Sequence, residues 1–170
     1  PPPPPPPSFN PKLVSATKKD IRVSPWKLGL IARQVRGLTV PEARLQLQFS
    51  PKRRAALVSS VLRKTANLAD IRHDLGQGEL EVYKCYVTKG STLKRVRFHA
   101  RGKMGRNFHR HSHLNVTLRE IDFDARIAGS KGRGERRRWE RLREEAEADK
   151  ERREEERREV ERLRELIGEE

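Results

Sequence analysis

The segment Leu93–Arg110 constrains the fold of this chain more than any other, and it reads LKRVRFHARGKMGRNFHR. Seven of its 18 residues are lysine or arginine, and none is acidic. A run of like charge repels itself and cannot pack into an apolar core, so a dense source of negative charge is needed to hold it still. A nucleic-acid backbone is the commonest such source. The cations are Lys94, Arg95, Arg97, Arg101, Lys103, Arg106 and Arg110.

The charge of the chain is divided unevenly between two regions. Residues 1–134 contain 27 Lys and Arg against 9 Asp and Glu, a net charge of +18, whereas residues 135–170 contain 12 against 15, a net charge of −3. Only 34% of the residues are hydrophobic, which predicts a small core. The basic region is therefore predicted to bind a polyanion, either a nucleic acid or a membrane surface, and the tail is not.

Several features restrict the setting of the protein. Cys85 is the only cysteine, so no internal disulfide is expected, which suits a reducing compartment. No apolar run approaches the ~20 residues of a membrane span. The sequence begins with the run Pro1–Pro7 and without an initiator methionine, and we expect an extended leader from which any targeting peptide has been removed.

Two short helices are predicted early in the chain. Ser24-Pro25 provides an N-cap and a first-turn proline, an apolar stripe follows at helical spacing, and Gly37 ends the helix. Thr39 and Glu42 then predict a capping box for a second helix. The residues after Glu42 alternate like a strand, but the start signal favours a short helix.

The third helix is predicted to be the longest of the basic region. Ser50-Pro51 repeats the start signal, and an apolar stripe continues to Ala69. Lys52, Arg53 and Arg54 would then crowd the first turn, where the helix dipole disfavours cations. An external phosphate at that end would remove the conflict, and a merely solvated turn is an equal alternative.

Three strands are predicted around the cationic segment. Leu13–Val23 is compatible with a short edge strand, Leu80–Thr88 is rich in valine and tyrosine, and Leu114–Ile121 alternates like a half-buried strand. Gly102 and Gly105 indicate the chain reversal between the last two, because a reversal needs positive φ or close backbone approach. The resulting hairpin could reach roughly 40 Å, and a free two-stranded ribbon is barely stable in water, so it must lie on something.

The C-terminal part changes character. Arg126–Gly134 is predicted to be a glycine-rich basic linker, and Glu135–Ile167 a helix of about 50 Å held by Glu–Arg pairs at helical spacing. Apolar residues occur only near its two ends. They could dock onto neighbours, but a solvated helix is the favoured interpretation.

The pattern thus predicts three helices and three strands in the basic region, a long hairpin arm and a C-terminal extended charged helix. The predicted division is a leader over 1–17, a basic domain over 18–124 with its arm at 88–113, a linker over 125–134 and a helical extension over 135–170.

No arrangement of residues indicates an enzyme. His109, His111 and His113 alternate, which would place them on one face of a strand, but no CxxC motif accompanies them and a metal site is not favoured. Imidazoles at a nucleic-acid surface are the better reading. No nucleophile–base pair and no phosphate-binding loop is found, and no cofactor is expected.

Three stretches of the chain resemble one known family. They are VSPWKLGLIARQVRG, TVPEARLQLQFSPKRRA and KGSTLKRVRFHARGKMGRNFHRHSHLNVTLRE. Over about residues 18–122 the chain resembles the large-subunit ribosomal proteins of the universal L-twenty-two family. The most specific matches are Ser24-Pro25 with Lys27, the helix start Phe49–Lys52, Leu93-Lys94-Arg95 followed by Ala100-Arg101-Gly102, and Ser112-His113.

The resemblance implies an α+β fold for the RNA-binding domain over 18–124, with about three helices packed on a small antiparallel sheet and a long β-hairpin arm. It also implies a role in the large ribosomal subunit. The globular part would bind ribosomal RNA near the tunnel exit, and the arm would line the nascent-peptide tunnel with a tip formed by Gly102, Lys103, Met104, Gly105 and Arg106. Its partners would be ribosomal RNA, neighbouring ribosomal proteins and the nascent polypeptide, with no homo-oligomer. The implied RNA-binding residues are Lys27, Lys52, Arg53, Lys94, Arg95, Arg97, His99, Arg101, Lys103, Arg106, His109 and Arg110.

The form of the arm favours one compartment. Phe98, His99 and Met104 look more like the mitochondrial members of the family, which predicts a mitochondrial ribosome in the matrix, with a plastid or bacterial ribosome as alternatives. The resemblance does not extend to the tail, which we expect to contact a neighbouring ribosomal protein or the outer surface near the exit. A free RNA- or DNA-binding regulator with a helical interaction tail is the alternative function.

Overall fold

The computed structural model describes residues 9–168, so the predicted polyproline leader lies outside the described residues. None of the helices within that range is long and apolar enough to cross a bilayer. The predicted α+β class, with its antiparallel sheet and long C-terminal helix, is confirmed. The elements follow in the order β1 (Leu13–Ile21), α1 (Pro25–Val35), α2 (Val40–Gln48), α3 (Ala55–His73), a 3-10 turn (Gln77–Glu79), β2 (Leu80–Phe98), β3 (Met104–Glu120), α4 (Phe123–Ala128) and α5 (Arg133–Gly168).

The central strand β3 organises the sheet. The strand order is β1-β3-β2, and both neighbours pair with β3 in antiparallel register. Leu114, Val116 and Leu118 are buried, whereas the residues between them are partly exposed, because successive side chains of a strand point to opposite faces. The predicted alternation is confirmed.

Bulges interrupt only the two outer strands. The register of β1 shifts between Lys18 and Ile21, and that of β2 shifts at two places, each time against an uninterrupted β3. The predicted edge strand is confirmed as β1. Because β1 begins at Leu13, residues 13–17 belong to the sheet, and the predicted leader must be shortened accordingly.

Helices α1 to α3 supply the other half of the core. Helix α1 packs on β2, while α3 packs on β1 and β3. The predicted stripe of α1 is buried, and Gly37 follows it with φ +79°. Leu28, Leu62, Leu80, Leu114 and Leu118 are among the largest fully buried side chains.

Helix α2 has the predicted type but not the predicted cap. Thr39 makes no side-chain cap hydrogen bond, and its hydroxyl is buried without a partner among the described residues. Glu42 instead accepts a hydrogen bond of 2.5 Å from Arg138 of α5. The predicted capping box does not form: Arg138 binds one oxygen of the Glu42 carboxylate, and the other oxygen is buried without a hydrogen-bond partner among the described residues.

Helix α3 begins four residues later than predicted. Residues 51–54 precede the helix, and Ala55 N–H donates to the carbonyl of Lys52 at 2.8 Å. Three consecutive cations are unfavourable in a first helical turn, so the helix starts after them. The cations thus precede the first helical turn instead of lying in it, with Arg54 as the N-cap residue of α3.

The predicted linker is largely helical. Helix α4 spans Phe123–Ala128, with Asp122 accepting a hydrogen bond from Ala125 N–H at 2.9 Å, and α5 already begins at Arg133. Only residues 129–132 connect the two helices. The glycines of this segment led to the prediction of a linker, whereas the N-cap at Asp122 stabilises the start of α4.

Helix α5 packs against its own domain, so the expectation of a solvated helix is wrong for its first six turns. Ala146 is 3% exposed and lies against Gly78 of the 3-10 turn. Ion pairs join the helix to Glu42, Asp70, Asp74, Glu79 and Asp124 of the globular part. These acids are far apart in sequence, which is why the pattern of the helix alone did not reveal the contact.

Arg153 is the centre of this contact. Its Nη1 donates to Asp70 Oδ1 at 3.1 Å and to the carbonyl of Asp74 at 3.4 Å, and its Nη2 donates to Glu79 Oε2 at 3.2 Å. A Cβ at Gly76 would lie 2.5 Å from Arg153 Nη2, so glycine leaves the space that the guanidinium fills.

Arg153→Ala should release α5 from the domain. Charge-assisted hydrogen bonds each contribute about 1.5–3 kcal/mol, so the opening free energy of residues 143–157 should fall by about that amount. Hydrogen exchange measured by mass spectrometry reports this directly. Arg158→Ala is the control, because that exposed side chain meets only Glu154 at 3.8 Å, and it should change exchange by less than about 0.5 kcal/mol. Equal exchange in both variants would show that Arg153 does not hold the helix.

Cys85 should make stability fall at high pH. Burial raises the pKa of its thiol from 9.0 to about 11, against a smaller lowering by the Arg36 charge. Between these values the unfolded chain loses the proton and the folded chain keeps it, so the free energy of unfolding falls as pH rises, by about 3 kcal/mol in all. Denaturant titrations from pH 8 to 11 should show this extra fall in the wild type and not in Cys85→Ala. Parallel pH profiles of the two proteins would contradict it.

Candidate nucleic-acid interface

The hairpin leaves the sheet where β1 ends. The last pair of β1 joins Ile21 to Ser112, and beyond it β2 and β3 continue alone as the arm, residues 88–113. From Thr92 to the tip and back to His111, every residue is at least partly exposed. The arm therefore has no apolar support of its own.

A bulge marks the base of the arm. Gly90 and Ser91 together oppose His111, and a Cβ at Gly90 would lie 3.1 Å from the His111 carbonyl carbon. Ser91 Oγ is 3.0 Å from His111 Nδ1, and His113 Nδ1 accepts the Asp20 N–H at 3.0 Å. These two histidines fasten the base of the arm, and no group of metal-binding residues is found in the described part of the chain.

The tip is a tight turn. Arg101 has φ +59° and Gly102 φ +67°, and Lys103 N–H donates to the Ala100 carbonyl at 3.4 Å. Two central residues with positive φ are typical of the hairpin turns that match the twist of the strands. Gly105 lies in β3 instead, where a Cβ would meet His99 Nε2 at 2.9 Å. The reversal predicted at two glycines is thus made at Gly102, and Gly105 gives room to a side chain.

The arm carries cations on both faces. Strand β3 has no bulge, so its even-numbered side chains all point to the side of the sheet that the helices cover. We call this side the helix-side face, and the opposite side, to which the odd-numbered side chains point, the outer face. The cross-strand pairs assign the helix-side face to Thr92/Arg110, Lys94/Phe108, Val96/Arg106 and Phe98/Met104, and the outer face to Leu93/His109, Arg95/Asn107 and Arg97/Gly105. A ribbon of this kind suits a position between two polyanionic surfaces.

A groove lies where the arm meets the globular part. It encloses about 630 Å³ between the segment before α1, the turn before α3 and strand β3. Six cations and one histidine border it, and no acidic residue does. They are Arg22, Lys27, Lys52, Arg53, Arg54, His109 and Arg110.

Five acids of the globular part form ion pairs outside the lining of the groove. Glu42, Asp70, Asp74 and Glu79 pair with arginines of α5, while Glu81 binds Arg119 and Arg126. The groove is therefore left with cations that repel one another, an arrangement that a bound polyanion would stabilise.

The structure unites part of the predicted site and adds to it. Lys27, Lys52, Arg53, His109 and Arg110 line the groove, whereas the other predicted RNA-binding residues extend along the arm to its tip. Arg22 was not predicted, and Arg54 was named only among the cations at the start of the third helix. The signal available for both was a cation directly beside the end of a strand or helix.

A small α+β domain with a projecting cationic two-stranded arm belongs to the class of proteins whose surface suits the binding of a polyanion. A family model described as ribosomal protein L22p/L17e matches residues 16–119, and the chain belongs to this family. It is 39% identical over 105 residues to the large ribosomal subunit protein uL22 of Rhodospirillum rubrum, covering 62% of this chain and 83% of that protein. The uL22 proteins of Thermomicrobium roseum and Clostridium beijerinckii are each 36% identical, covering 64% and 62% of this chain and 92% and 95% of theirs.

Removing groove cations should weaken polyanion binding through its salt dependence. For Lys27→Ala, Lys52→Ala and Arg110→Ala combined, the slope of log K against log salt should fall by about one unit per lost phosphate contact. Binding to large-subunit ribosomal RNA, measured from low to high salt, tests this. Replacing Arg141, Arg152 and Arg158 of α5 by alanine is the charge-matched control and should leave the slope unchanged. A similar fall in both variants would mean that net charge matters and the groove does not.

Proposed function

We propose that this chain is a structural constituent of the large ribosomal subunit. The groove and the two-faced arm bind ribosomal RNA, and the tip from Gly102 to Arg106 lines the nascent-peptide tunnel. The protein would support assembly and translation as a scaffold rather than as an enzyme. Family membership supports the ribosomal role, and the surface supports the RNA contact.

The observation that carries the proposal is the groove. Six cations converge there from three separate parts of the chain without an acidic neighbour in the lining. Cations brought together in this way raise the energy of the isolated protein. Phosphates entering the groove would replace this repulsion between cations by attraction. They would also release counterions from the RNA, which is the main source of affinity for a nucleic-acid backbone.

The arm leads to the same proposal, because within residues 9–168 no third strand or core of its own stabilises it. A two-stranded ribbon is at best marginally stable in water, and from Thr92 outward this one has no third strand. Lys94, Arg106 and Arg110 would meet RNA on the helix-side face, and Arg95 and Arg97 on the outer face. Folded RNA on both sides would hold the arm in place.

The partners and the compartment follow from the proposed role. The arm would meet ribosomal RNA and the nascent polypeptide, and the rest of the surface would meet neighbouring ribosomal proteins. We propose the mitochondrial matrix as its location on the strength of Phe98, His99 and Met104. The relatives named above are bacterial proteins, so fractionation of cells into mitochondria, plastids and cytosol is the direct test of this part.

A free regulator is the alternative that the sequence left open, and sedimentation separates the two. A ribosomal constituent co-sediments with large subunits until the salt concentration is high, whereas a regulator remains in the light fractions and prefers particular sequences. Recovery of the chain in the light fractions alone would overturn the proposal.

Shortening the arm should alter the tunnel without unfolding the domain. Deleting the pairs Arg97/Gly105 and Phe98/Met104 removes about 7 Å and preserves both the turn and the two faces. The shortened chain should still fold and join large subunits, because the core lies at the other end of β3. Crosslinks from a stalled nascent chain to this protein should be lost. Loss of folding, seen by circular dichroism, would mean that the arm is part of the core.

A further inference from the structure

Helix α5 extends beyond the domain on which it packs. Its last ion pairs to the globular part join Arg157 to Asp70 and Asp74. Among the described residues, no hydrogen bond or ion pair connects residues 158–168 to the globular part, and Arg158 pairs only within the helix, with Glu154. These eleven residues form a projecting end, about 16 Å of helix.

The projecting end repeats the spacing of the docked part. Trp139, Leu142 and Ala146 lie on the side of α5 that faces the domain, and Ala146 is 3% exposed. Val160, Leu163 and Ile167 follow each of them by 21 residues. At 100° per residue, Val160 and Ile167 point within about 40° of Arg153, the centre of the docked contact. The face that binds the domain therefore continues past it without a partner.

These three apolar side chains are exposed, whereas Trp139 and Leu142 of the docked part are half-buried and Ala146 is buried. Val160 is 49%, Leu163 51% and Ile167 75% exposed. Val160 also borders a cleft of about 520 Å³ between α5 and Asp70 of α3. Intervals of three and four residues are those of an apolar seam between two helices, with a β-branched residue at each end and leucine between them.

The charges of the projecting end do not favour RNA as its partner. Three arginines (Arg158, Arg162 and Arg164) are balanced by three glutamates (Glu159, Glu161 and Glu165). A phosphate backbone approaching this end would meet as much negative charge as positive charge. A helix with an acid opposite Arg164 and a base opposite Glu159 would be complementary.

The size of the patch decides what kind of partner can use it. A stable complex of free proteins buries about 1,200 Å² or more, which three partly exposed side chains cannot supply. A second copy from solution is therefore disfavoured. A protein already fixed beside this chain in the same particle needs much less contact, because its effective concentration is high.

We propose that residues 160–167 of α5 form a docking site for an amphipathic helix of a neighbouring protein in the large subunit. The domain-bound part of α5 acts as the support that holds this site rigidly outward. The inference rests on the proposed ribosomal role. It goes further by assigning a surface of α5, outside the matched residues 16–119, to a partner of stated chemistry.

Site-specific photo-crosslinking in assembled large subunits tests the proposal. A benzophenone amino acid at Leu163 should crosslink to one protein, within a segment whose apolar residues recur every three and four positions. The same probe at Arg158, whose side chain is 71% exposed on another side of the helix, is the matched control and should react at least tenfold less. Crosslinks from Leu163 to RNA, to another copy of this chain or to nothing would each overturn the proposal.

A second variant separates the docking site from the ribosomal role. Val160→Asp combined with Leu163→Asp should leave the chain in large subunits, because the groove and the arm are unchanged, while crosslinking to the neighbour from a probe at Ile167 falls at least fivefold. Unchanged crosslinking would overturn the docking site alone. Absence of the wild-type chain from large subunits would overturn both this inference and the proposed function.

Discussion

Separation of the α5-binding carboxylates from the cationic groove is the constraint on which the other features depend. Carboxylates such as Asp70 and Glu79 are neutralised by arginines of α5. Arg22, Lys52 and Arg110 border a groove whose lining holds no acid. If the acids lay beside the groove, they would neutralise it internally, and α5 would have no charged surface to bind. A single arrangement of carboxylates thus leaves the groove to a polyanion and holds the C-terminal helix.

The sheet determines where the groove opens. Strand β3 is paired on both sides within the core and on one side within the arm, and the change occurs at Ser112, where β1 ends. The bulge at Gly90 falls at the same level, so the extra residue lies where the third strand is lost. The groove opens beside this transition, which brings His109 and Arg110 next to Lys27 and Arg53.

Sequence reasoning succeeded where the determining forces are local. The alternation of Leu114, Val116 and Leu118 and the positive φ at Gly102 depend on residues close in the chain, and both were predicted. It failed where a distant charge decides the outcome. Glu42 contacts Arg138 of α5 and does not close the predicted cap, and α5 was expected in solvent because the acids that attract Arg153 are scattered over residues 70–79. The five predicted groove residues could be chosen as cations near element ends, but only the fold brings them together with Arg22 and Arg54.

Strand β3 runs without a bulge from Met104 at the tip to Glu120 beside the 3-10 turn. One continuous strand therefore belongs to both the arm and the core. Extended backbone barely stretches along its axis. A pull on the tip along this axis is therefore transmitted to Leu114 and Leu118, which are buried in the core. Tension is the one kind of load that this arm can pass on, because a two-stranded ribbon bends easily when it is pushed.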